Sequence, residues 1–224
     1  DARLLPDTVR TVCDYMDRED AKSVGICGVR LLNEHGDLHR HCARFPSLRT
    51  YLGLAFGLTA VLPRHFPPHF MLEFDHQTSR EVDQVMGAFF FVRRELFNAL
   101  RGFDERFFVY FEEVDFSLRA KRQGWSTYYL AQAAAFHKGG GVSEHVKAHR
   151  LFYSLRSRIL YAFKHFRRME AWAVAAVTLL IEPFPRLLRA VLRHSPTEAR
   201  DTLRGYAMLW RDVPNILRSP AHGG

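Results

Sequence analysis

The chain has 224 residues, of which 47% are hydrophobic and 25% charged, a composition typical of a globular protein that excludes a disordered tail. Its three cysteines, without a paired C-x-x-C spacing, argue against a disulfide scaffold and a structural zinc module, and they favour the cytoplasm. The net charge of +8 is concentrated in residues 147–224, where 14 Lys and Arg face 5 Asp and Glu. An anionic lipid surface, an anionic substrate or a nucleic acid is therefore the expected partner of that region.

The first predicted elements are a short helix and a hairpin. Apolar residues recur at helical spacing after Pro6 and predict a short amphipathic helix. They are Val9, Val12, Cys13 and Met16. Residues 24–32 form an apolar run, and turn residues separate it from residues 38–42, which predicts a strand and a hairpin. Residues 46–80 contain four prolines among aromatic residues and predict a long, mobile connection.

The next predicted elements surround a cluster of acids. Residues 82–92 are too apolar for a surface strand and predict a buried central strand. A short helix is expected over residues 94–100 and a second helix over residues 112–123, ended by Gly124. Residues 125–130 predict a strand.

Helices rich in Arg, Leu and aromatic residues are predicted after residue 146. One of them carries apolar residues at every fourth position, namely Leu151, Leu155, Ile159 and Phe163. We therefore place a domain boundary between residues 1–146 and 147–224. The longest uncharged apolar run covers residues 171–181, which is short for a membrane-spanning helix, and residues 1–5 do not resemble a signal peptide.

Glu112, Glu113 and Asp115 form the densest group of candidate functional residues. They lie at a predicted helix start, where free backbone N–H groups stabilise ionised acids, so capping is one interpretation. The aromatic residues before them favour a second interpretation, a partly desolvated cleft in which a carboxylate acts as a general base. His137 follows a predicted strand; a lone His is more often structural, but α/β enzymes place ligands at strand ends.

Four segments together resemble a known enzyme family. They are V-D-Q-V-M-G-A-F-F-F-V-R-R (82–94), G-F-D-E-R-F-F-V-Y-F-E-E-V-D-F-S-L-R (102–119), G-W-S-T-Y-Y-L (124–130) and A-F-H-K-G-G-G-V-S (135–143). Their order and spacing resemble the acceptor-side half of the inverting family 2 glycosyltransferases, and within them the bacterial rhamnosyltransferase-like enzymes of surface polysaccharide synthesis. The resemblance covers residues 1 to about 166 and implies an α/β fold, a partial Rossmann-like GT-A domain, followed by C-terminal helices.

The resemblance also implies roles for the acids. Glu113 occupies the place of the catalytic base, where the family usually has Asp, and Glu112 is the reserve candidate. Asp115 is expected either to orient its helix or to contact the acceptor. Asp83 is expected either to bind the acceptor, or to cap or pair with a neighbouring Arg. Gly87 is expected to permit a close backbone approach.

A divalent metal is implied in the same way. The family holds Mg²⁺ or Mn²⁺ on the donor diphosphate, and the matching residues here are Asp1 and His137. The nucleotide-binding half of the fold would then precede Asp1, and we expect residues 1–224 alone to be inactive. His35, His39, His41 and Cys42 also suggest zinc superficially, but their predicted hairpin favours a solvated turn.

The implied function is transfer of a sugar, with inversion, from a nucleotide-sugar donor to a glycan or lipid-linked acceptor. The basic C-terminal helices are then expected to hold the enzyme peripherally at the inner face of the cell membrane. One alternative is a basic helical module that binds membrane or nucleic acid without catalysis, although no nucleic-acid signature is present and no nucleic acid is expected. Another is a helical scaffold or oligomer interface.

Overall fold

Residues 2–139 and 146–218 are described by the structure, a computed structural model. They form an α/β unit and a helical unit. Among the described residues, the α/β unit comprises 2–45, 69–104 and 112–139, and the helical unit comprises 46–68, 105–111 and 146–218. The helical unit thus includes two segments that lie before the boundary placed at residue 146.

Strands and helices are interspersed up to residue 137, and the described elements beyond it are all helical. In chain order they are β1 (Ala2–Leu4), α1 (Thr8–Met16), a 3-10 turn (Glu19–Ala21), β2 (Val24–Leu32), β3 (Leu38–His39), α2 (Leu48–Ala55), α3 (Leu58–Val61), β4 (Arg80–Val82), β5 (Phe91–Val92), α4 (Arg94–Ala99), α5 (Glu112–Arg122), β6 (Ser126–His137), α6 (Lys147–His165), α7 (Arg168–Ala176), a π-helical segment (Val177–Ile181), α8 (Pro183–Leu192) and α9 (Pro196–Arg218). The predicted fold class, α/β followed by C-terminal helices, is confirmed.

Two long parallel strands, β2 and β6, form the centre of the mixed sheet. The order is β1-β6-β2-β3, with β4 antiparallel to β6 and β5 antiparallel to β2. Neighbouring residues of β2, Ile26 and Cys27, belong to two different core clusters, as do Tyr129 and Leu130 of β6. Because successive side chains of a strand point to opposite faces, the sheet has an apolar core on each face. This explains the continuous apolar run in β2.

Most predicted elements of the α/β unit are confirmed. These are α1, β2 with its hairpin partner β3, α4, α5 and the strand that begins β6. The prediction of a strand over residues 82–92 is wrong, because β4 ends at Val82 and β5 begins at Phe91. The intervening chain buries Val85 and Phe89 without a continuous strand ladder.

The predicted mobile connection over residues 46–80 is also wrong in part, because it contains α2 and α3. Ser47 caps α2: its hydroxyl accepts the Thr50 N–H at 3.2 Å, and the Thr50 hydroxyl accepts the Ser47 N–H at 3.2 Å. This reciprocal cap satisfies two backbone donors that would otherwise be free. Polar capping residues therefore outweigh the prolines that flank the helix.

Helix α6 and the helices after it form the helical unit. The stripe predicted on α6 is confirmed, since Leu155 and Ile159 are buried. From Arg168 to Leu192 the chain is one helix of 25 residues that is long and apolar enough to cross a membrane by length and composition. The expectation that no segment reaches that length is not confirmed, because the helix continues through Glu182 and Pro183, where the apolar run ends.

Candidate active site

Helix α5 begins with the two acids singled out from the sequence, Glu112 and Glu113. Both side chains are half-buried, and the next turn of the helix is fixed by Val114 and Phe116, which are buried. Before Glu112 the backbone turns through two non-glycine residues with positive φ, 65° at position 110 and 73° at position 111. Each such residue costs about 1–2 kcal/mol, and strain of this kind is concentrated at functional sites.

The environment of Glu113 favours its protonated form. Burial raises the pKa of Glu113 to about 7, and the nearby charge of Glu112 adds to the increase. Backbone N–H groups, among them those of Gly87 and Val114, interact with the carboxylate and oppose the shift. A carboxyl group whose pKa is close to neutral is suited to general acid–base chemistry, because it exchanges its proton readily at physiological pH.

Each of the two glutamates has one carboxylate oxygen, Oε2, that is buried and has no hydrogen-bond partner among the described residues. Burial also raises the pKa of Glu112. A buried acceptor without a partner is costly, and in native proteins such groups occur at functional positions. The Oε2 atom of Glu113 therefore has acceptor capacity that the described residues leave unused.

Contacts of Arg119 and Lys121 anchor α5 within the α/β unit. Asp115 is fully buried, and its carboxylate accepts from Nε of Arg119 at 2.7 Å. The same guanidinium group donates to the carbonyl oxygens of Leu100 at 2.8 Å and Gly102 at 2.9 Å. Of the two expected roles of Asp115, the geometry favours orienting the helix over contacting an acceptor.

Asp83 makes the second anchor. Its carboxylate accepts from Nζ of Lys121 at 2.8 Å and from the Phe45 N–H at 3.2 Å. Asp83 was expected either to bind the acceptor, or to cap or pair with a neighbouring Arg. The structure shows it paired, but the partner is a lysine of α5 and not an arginine. Sequence reasoning missed both Arg119 and Lys121 as anchors of the helix. The i, i+4 spacing of Asp115 and Arg119 is a signal that could have identified the first.

His137 lies at the end of β6, opposite Ala2 of β1. Burial lowers the pKa of His137, so its imidazole is neutral near pH 7, the form that ligates metals. Asp1, the other ligand expected, lies outside the described residues. Residues 2–139 and 146–218 contain no group of three His, Cys, Asp or Glu side chains that could hold a metal ion. One imidazole alone does not make a metal site.

The histidines near the predicted hairpin are partly structural. His41 is 1% exposed and Cys42 is fully buried, so the expected solvated turn is wrong for these two residues. Nε2 of His41 lies 2.9 Å from the carbonyl oxygen of Val29, and burial lowers the pKa of His41 to about 4. Nε2 of His76 accepts the N–H groups of His41 and Cys42 at 3.2 and 3.1 Å. These contacts hold the segment after β3 against the sheet.

Glu113→Gln is expected to stabilise the chain at pH 8 and to leave its stability unchanged at pH 4. The pKa of Glu113 is about 7 in the folded state, against 4.5 for a free side chain. The folded state therefore keeps a proton that the unfolded state releases, and the free energy of unfolding falls as the pH rises from about 4.5 to 7. This cost reaches about 3 kcal/mol above pH 7, and a neutral Gln does not incur it.

Denaturant unfolding between pH 4 and pH 8 measures this effect. The difference between the variant and the parent chain should grow with pH and level off above pH 7. Glu81→Gln is the matched control, because Glu81 is an exposed glutamate of the same unit. If the difference in free energy of unfolding between Glu113→Gln and the parent chain did not change with pH, the raised pKa of Glu113 would be contradicted.

The chain is similar to known proteins. The family model described as glycosyltransferase like family 2 matches residues 1–175. Two curated proteins are 29% identical to the chain over 135 residues, the N-acetylglucosaminyl-diphospho-decaprenol L-rhamnosyltransferases of Mycobacterium tuberculosis strains CDC 1551 / Oshkosh and ATCC 25618 / H37Rv. The alignments cover 56% of this chain and 42% of each relative, so the chain spans less than half their length. Because the family match extends over most of the chain and includes the acids of α5, this protein belongs to the family 2 glycosyltransferases.

Proposed function

We propose that the protein transfers a sugar from a nucleotide-sugar donor to a hydroxyl group of a glycan or lipid-linked acceptor, in cell-surface polysaccharide synthesis. The observation that carries this proposal is the buried Oε2 atom of Glu113, which has no hydrogen-bond partner among the described residues and belongs to a carboxyl group with a pKa of about 7. Membership of the family supports the proposal. The two relatives, which are named N-acetylglucosaminyl-diphospho-decaprenol L-rhamnosyltransferases, support it as well. L-rhamnose is accordingly the first sugar to test.

The mechanism we infer is a single displacement. Glu113 takes the proton of the acceptor hydroxyl, and the resulting oxygen nucleophile forms a bond to the anomeric carbon of the sugar. The bond from that carbon to the diphosphate oxygen breaks, and the nucleoside diphosphate leaves with the electron pair. Because the chain supplies a base and no covalent nucleophile in this scheme, the configuration at the anomeric carbon is inverted.

The anchors of α5 and the charge of Glu112 have defined tasks in this scheme. The helix that carries the base is fixed by the Asp83–Lys121 pair and by the bonds of Arg119 to two backbone carbonyl oxygens, with Asp115 holding the guanidinium group in place. The charge of Glu112 helps to keep the pKa of Glu113 near 7, and Glu112 remains the reserve base. Mg²⁺ or Mn²⁺, with Asp1 and His137 as ligands, stays a prediction; such an ion would neutralise charge on the leaving diphosphate.

A transfer assay tests the proposal. The full-length protein that contains this chain is incubated with deoxythymidine-diphosphate L-rhamnose and a polyprenyl-diphosphate N-acetylglucosamine acceptor, and other nucleotide sugars are tested in parallel. We expect a product whose mass increases by one sugar residue and whose NMR spectrum shows an inverted anomeric centre. A retained configuration would contradict the single displacement. Release of nucleoside diphosphate without a glycosylated product would contradict transfer to this acceptor.

A peripheral position at the inner face of the cell membrane is part of the same proposal. Residues 147–224 carry a net charge of +9, and a lipid-linked acceptor would lie in a bilayer. The competing interpretation of this region as a nucleic-acid module has no observation in its favour beyond the charge itself.

A further inference from the structure

Helix α8 and the π-helical segment before it present a row of exposed apolar side chains. These side chains, which we call the apolar stripe, have the following exposed fractions: Leu180 66%, Phe184 72%, Leu188 59%, Val191 66% and Leu192 71%. Their spacing of four, four, three and one residues places them on one face of the helix. Large apolar side chains exposed side by side in this way mark an interaction surface.

The opposite face of the same helix is fixed inside the helical unit. Ala190 is 1% exposed and Glu182 is 3% exposed, and the Glu182 carboxylate is paired with Arg158 of α6. A buried charge pair has few alternative arrangements, because separating the partners leaves both charges without compensation. The helix therefore cannot rotate to bury the apolar stripe without breaking this pair.

Basic side chains accompany the stripe. The Arg189 side chain is 61% exposed and lies 3.9 Å from the Glu198 carboxylate, and Arg193 follows directly after α8 as another exposed residue. Trp210 of α9 is 49% exposed, and its indole N–H donates to the carbonyl oxygen of Leu179, the neighbour of the first stripe residue. A helix with an exposed apolar face, exposed cations on its other side and an indole group nearby has the composition of an interfacial membrane-binding helix.

We propose that the apolar stripe docks the protein on an anionic lipid bilayer, with α8 lying in the plane of the interface. This proposal identifies the part of the protein that would bind the membrane. It rests on the proposed function only for the purpose of docking, which is to bring the enzyme to a lipid-linked acceptor. The physical support is independent: an exposed apolar face, exposed arginines in the same helical segment and the net charge of +9 in residues 147–224.

Charge and packing favour this occupant over two others. A helix that crosses the bilayer would have to leave the helical unit and separate Glu182 from Arg158. A second copy of the chain on the stripe would bring together two regions 147–224 that each carry a net charge of +9, because the interface of a symmetric dimer pairs the same patch with itself. An anionic bilayer instead attracts this charge while its acyl region accepts the apolar side chains.

Vesicle flotation with the full chain tests the proposal in the absence of donor and acceptor, so its failure is distinct from failure of the transfer assay. The vesicles contain phosphatidylglycerol and phosphatidylcholine, and pure phosphatidylcholine vesicles serve for comparison. We expect the double variant Phe184→Gln/Leu188→Gln to bind at least about tenfold more weakly than the parent chain, since two large apolar side chains no longer enter the interface. Both side chains are exposed, so thermal unfolding should not change.

The matched control is Leu54→Gln/Phe56→Gln. These residues belong to α2 and its C-terminal cap, and they are 60% and 52% exposed, close to the exposure of the stripe residues. The control should bind vesicles like the parent chain. Arg189→Gln/Arg193→Gln should reduce binding to the anionic vesicles, and the reduction should be larger at low salt.

Four results would overturn the proposal. The first is unchanged vesicle binding of the stripe variant, and the second is an equal loss of binding in the stripe variant and the control. The third is bound protein that resists extraction with alkaline carbonate. The fourth is a change in the oligomeric state of the stripe variant without a change in its lipid binding. The third result would indicate a membrane-spanning helix. The fourth would indicate a second copy of the chain as the occupant.

Discussion

Replacement of Glu113 by Gln in the full-length enzyme is expected to lower the transfer rate by about 10²–10⁴-fold while leaving donor affinity nearly unchanged. The amide has almost the same size as the carboxyl group, so the site keeps its shape, but it cannot accept the hydroxyl proton at neutral pH. The measurement is the initial rate of sugar transfer at saturating substrates, together with the dissociation constant of the nucleotide sugar. A comparable loss of donor affinity would indicate that Glu113 binds the donor.

Two further variants make the assignment specific to Glu113. Glu112→Gln should cause a smaller loss, because Glu112 acts mainly through its charge on the pKa of Glu113. Glu113→Asp should retain more activity than Glu113→Gln, since a carboxylate remains although it is one methylene shorter. Equal losses in Glu112→Gln and Glu113→Gln, or a larger loss in Glu112→Gln, would move the base to Glu112.

The pH dependence of the rate has a defined direction. A general base acts in its deprotonated form, so kcat/KM should rise with pH and level off above about 7, the pKa of Glu113. The residual activity of Glu113→Gln should lack this rise. The same burial that places the pKa near 7 also destabilises the folded protein above that pH, so the base is retained at a cost in stability.

The parts of the fold that the sequence predicts well are those where a local pattern and the tertiary structure agree. Helix α5 has acids in its first turn, basic residues in its last turn and Gly124 after it, so its bounds follow from capping and the helix dipole. The same local pattern places the two glutamates at a helix N terminus. The apolar run of β2 is continuous because both faces of this strand are buried, and it predicts the strand for that reason.

The parts that failed depend on contacts distant in sequence. Residues 85–90 contain no polar side chain, and Val85 and Phe89 are buried in the cores of the α/β unit. An apolar run alone does not distinguish this packing from a buried strand. The pKa of Glu113 does not follow from the local sequence either, because it depends on burial and on Gly87, a residue 26 positions away. The role of Asp83 depends on Lys121, 38 positions away.

Glu182 illustrates the same limit in the helical unit. In the sequence it ends the apolar run over residues 171–181. In the structure the π-helical segment precedes it, and its side chain is only 4% exposed because Arg158 of α6 lies beside it. A second arginine, Arg186, reaches the other carboxylate oxygen at 3.4 Å.

Glu182→Gln is therefore expected to destabilise the helical unit by about 3–5 kcal/mol, the cost of leaving one partner of a buried ion pair without compensation. The Arg158 side chain is 8% exposed, so the variant leaves it buried without a carboxylate partner at position 182. Adding Arg158→Met to this variant should recover most of the lost stability, because the methionine removes the uncompensated charge and fills a similar volume. Thermal unfolding followed by helical circular dichroism measures all three variants, including Arg158→Met alone.

The control for these three variants is Glu198→Gln. Glu198 also lies near an arginine, Arg189 at 3.9 Å, but its side chain is 39% exposed, and exposed pairs contribute about 0–1 kcal/mol. The control should therefore shift the unfolding temperature little. If Glu182→Gln shifted it no more than the control does, the pair would not hold α8 in the helical unit, and the orientation of the apolar stripe would lose its physical basis. If the double variant were as unstable as Glu182→Gln, the loss would come from packing and not from the buried charge of Arg158.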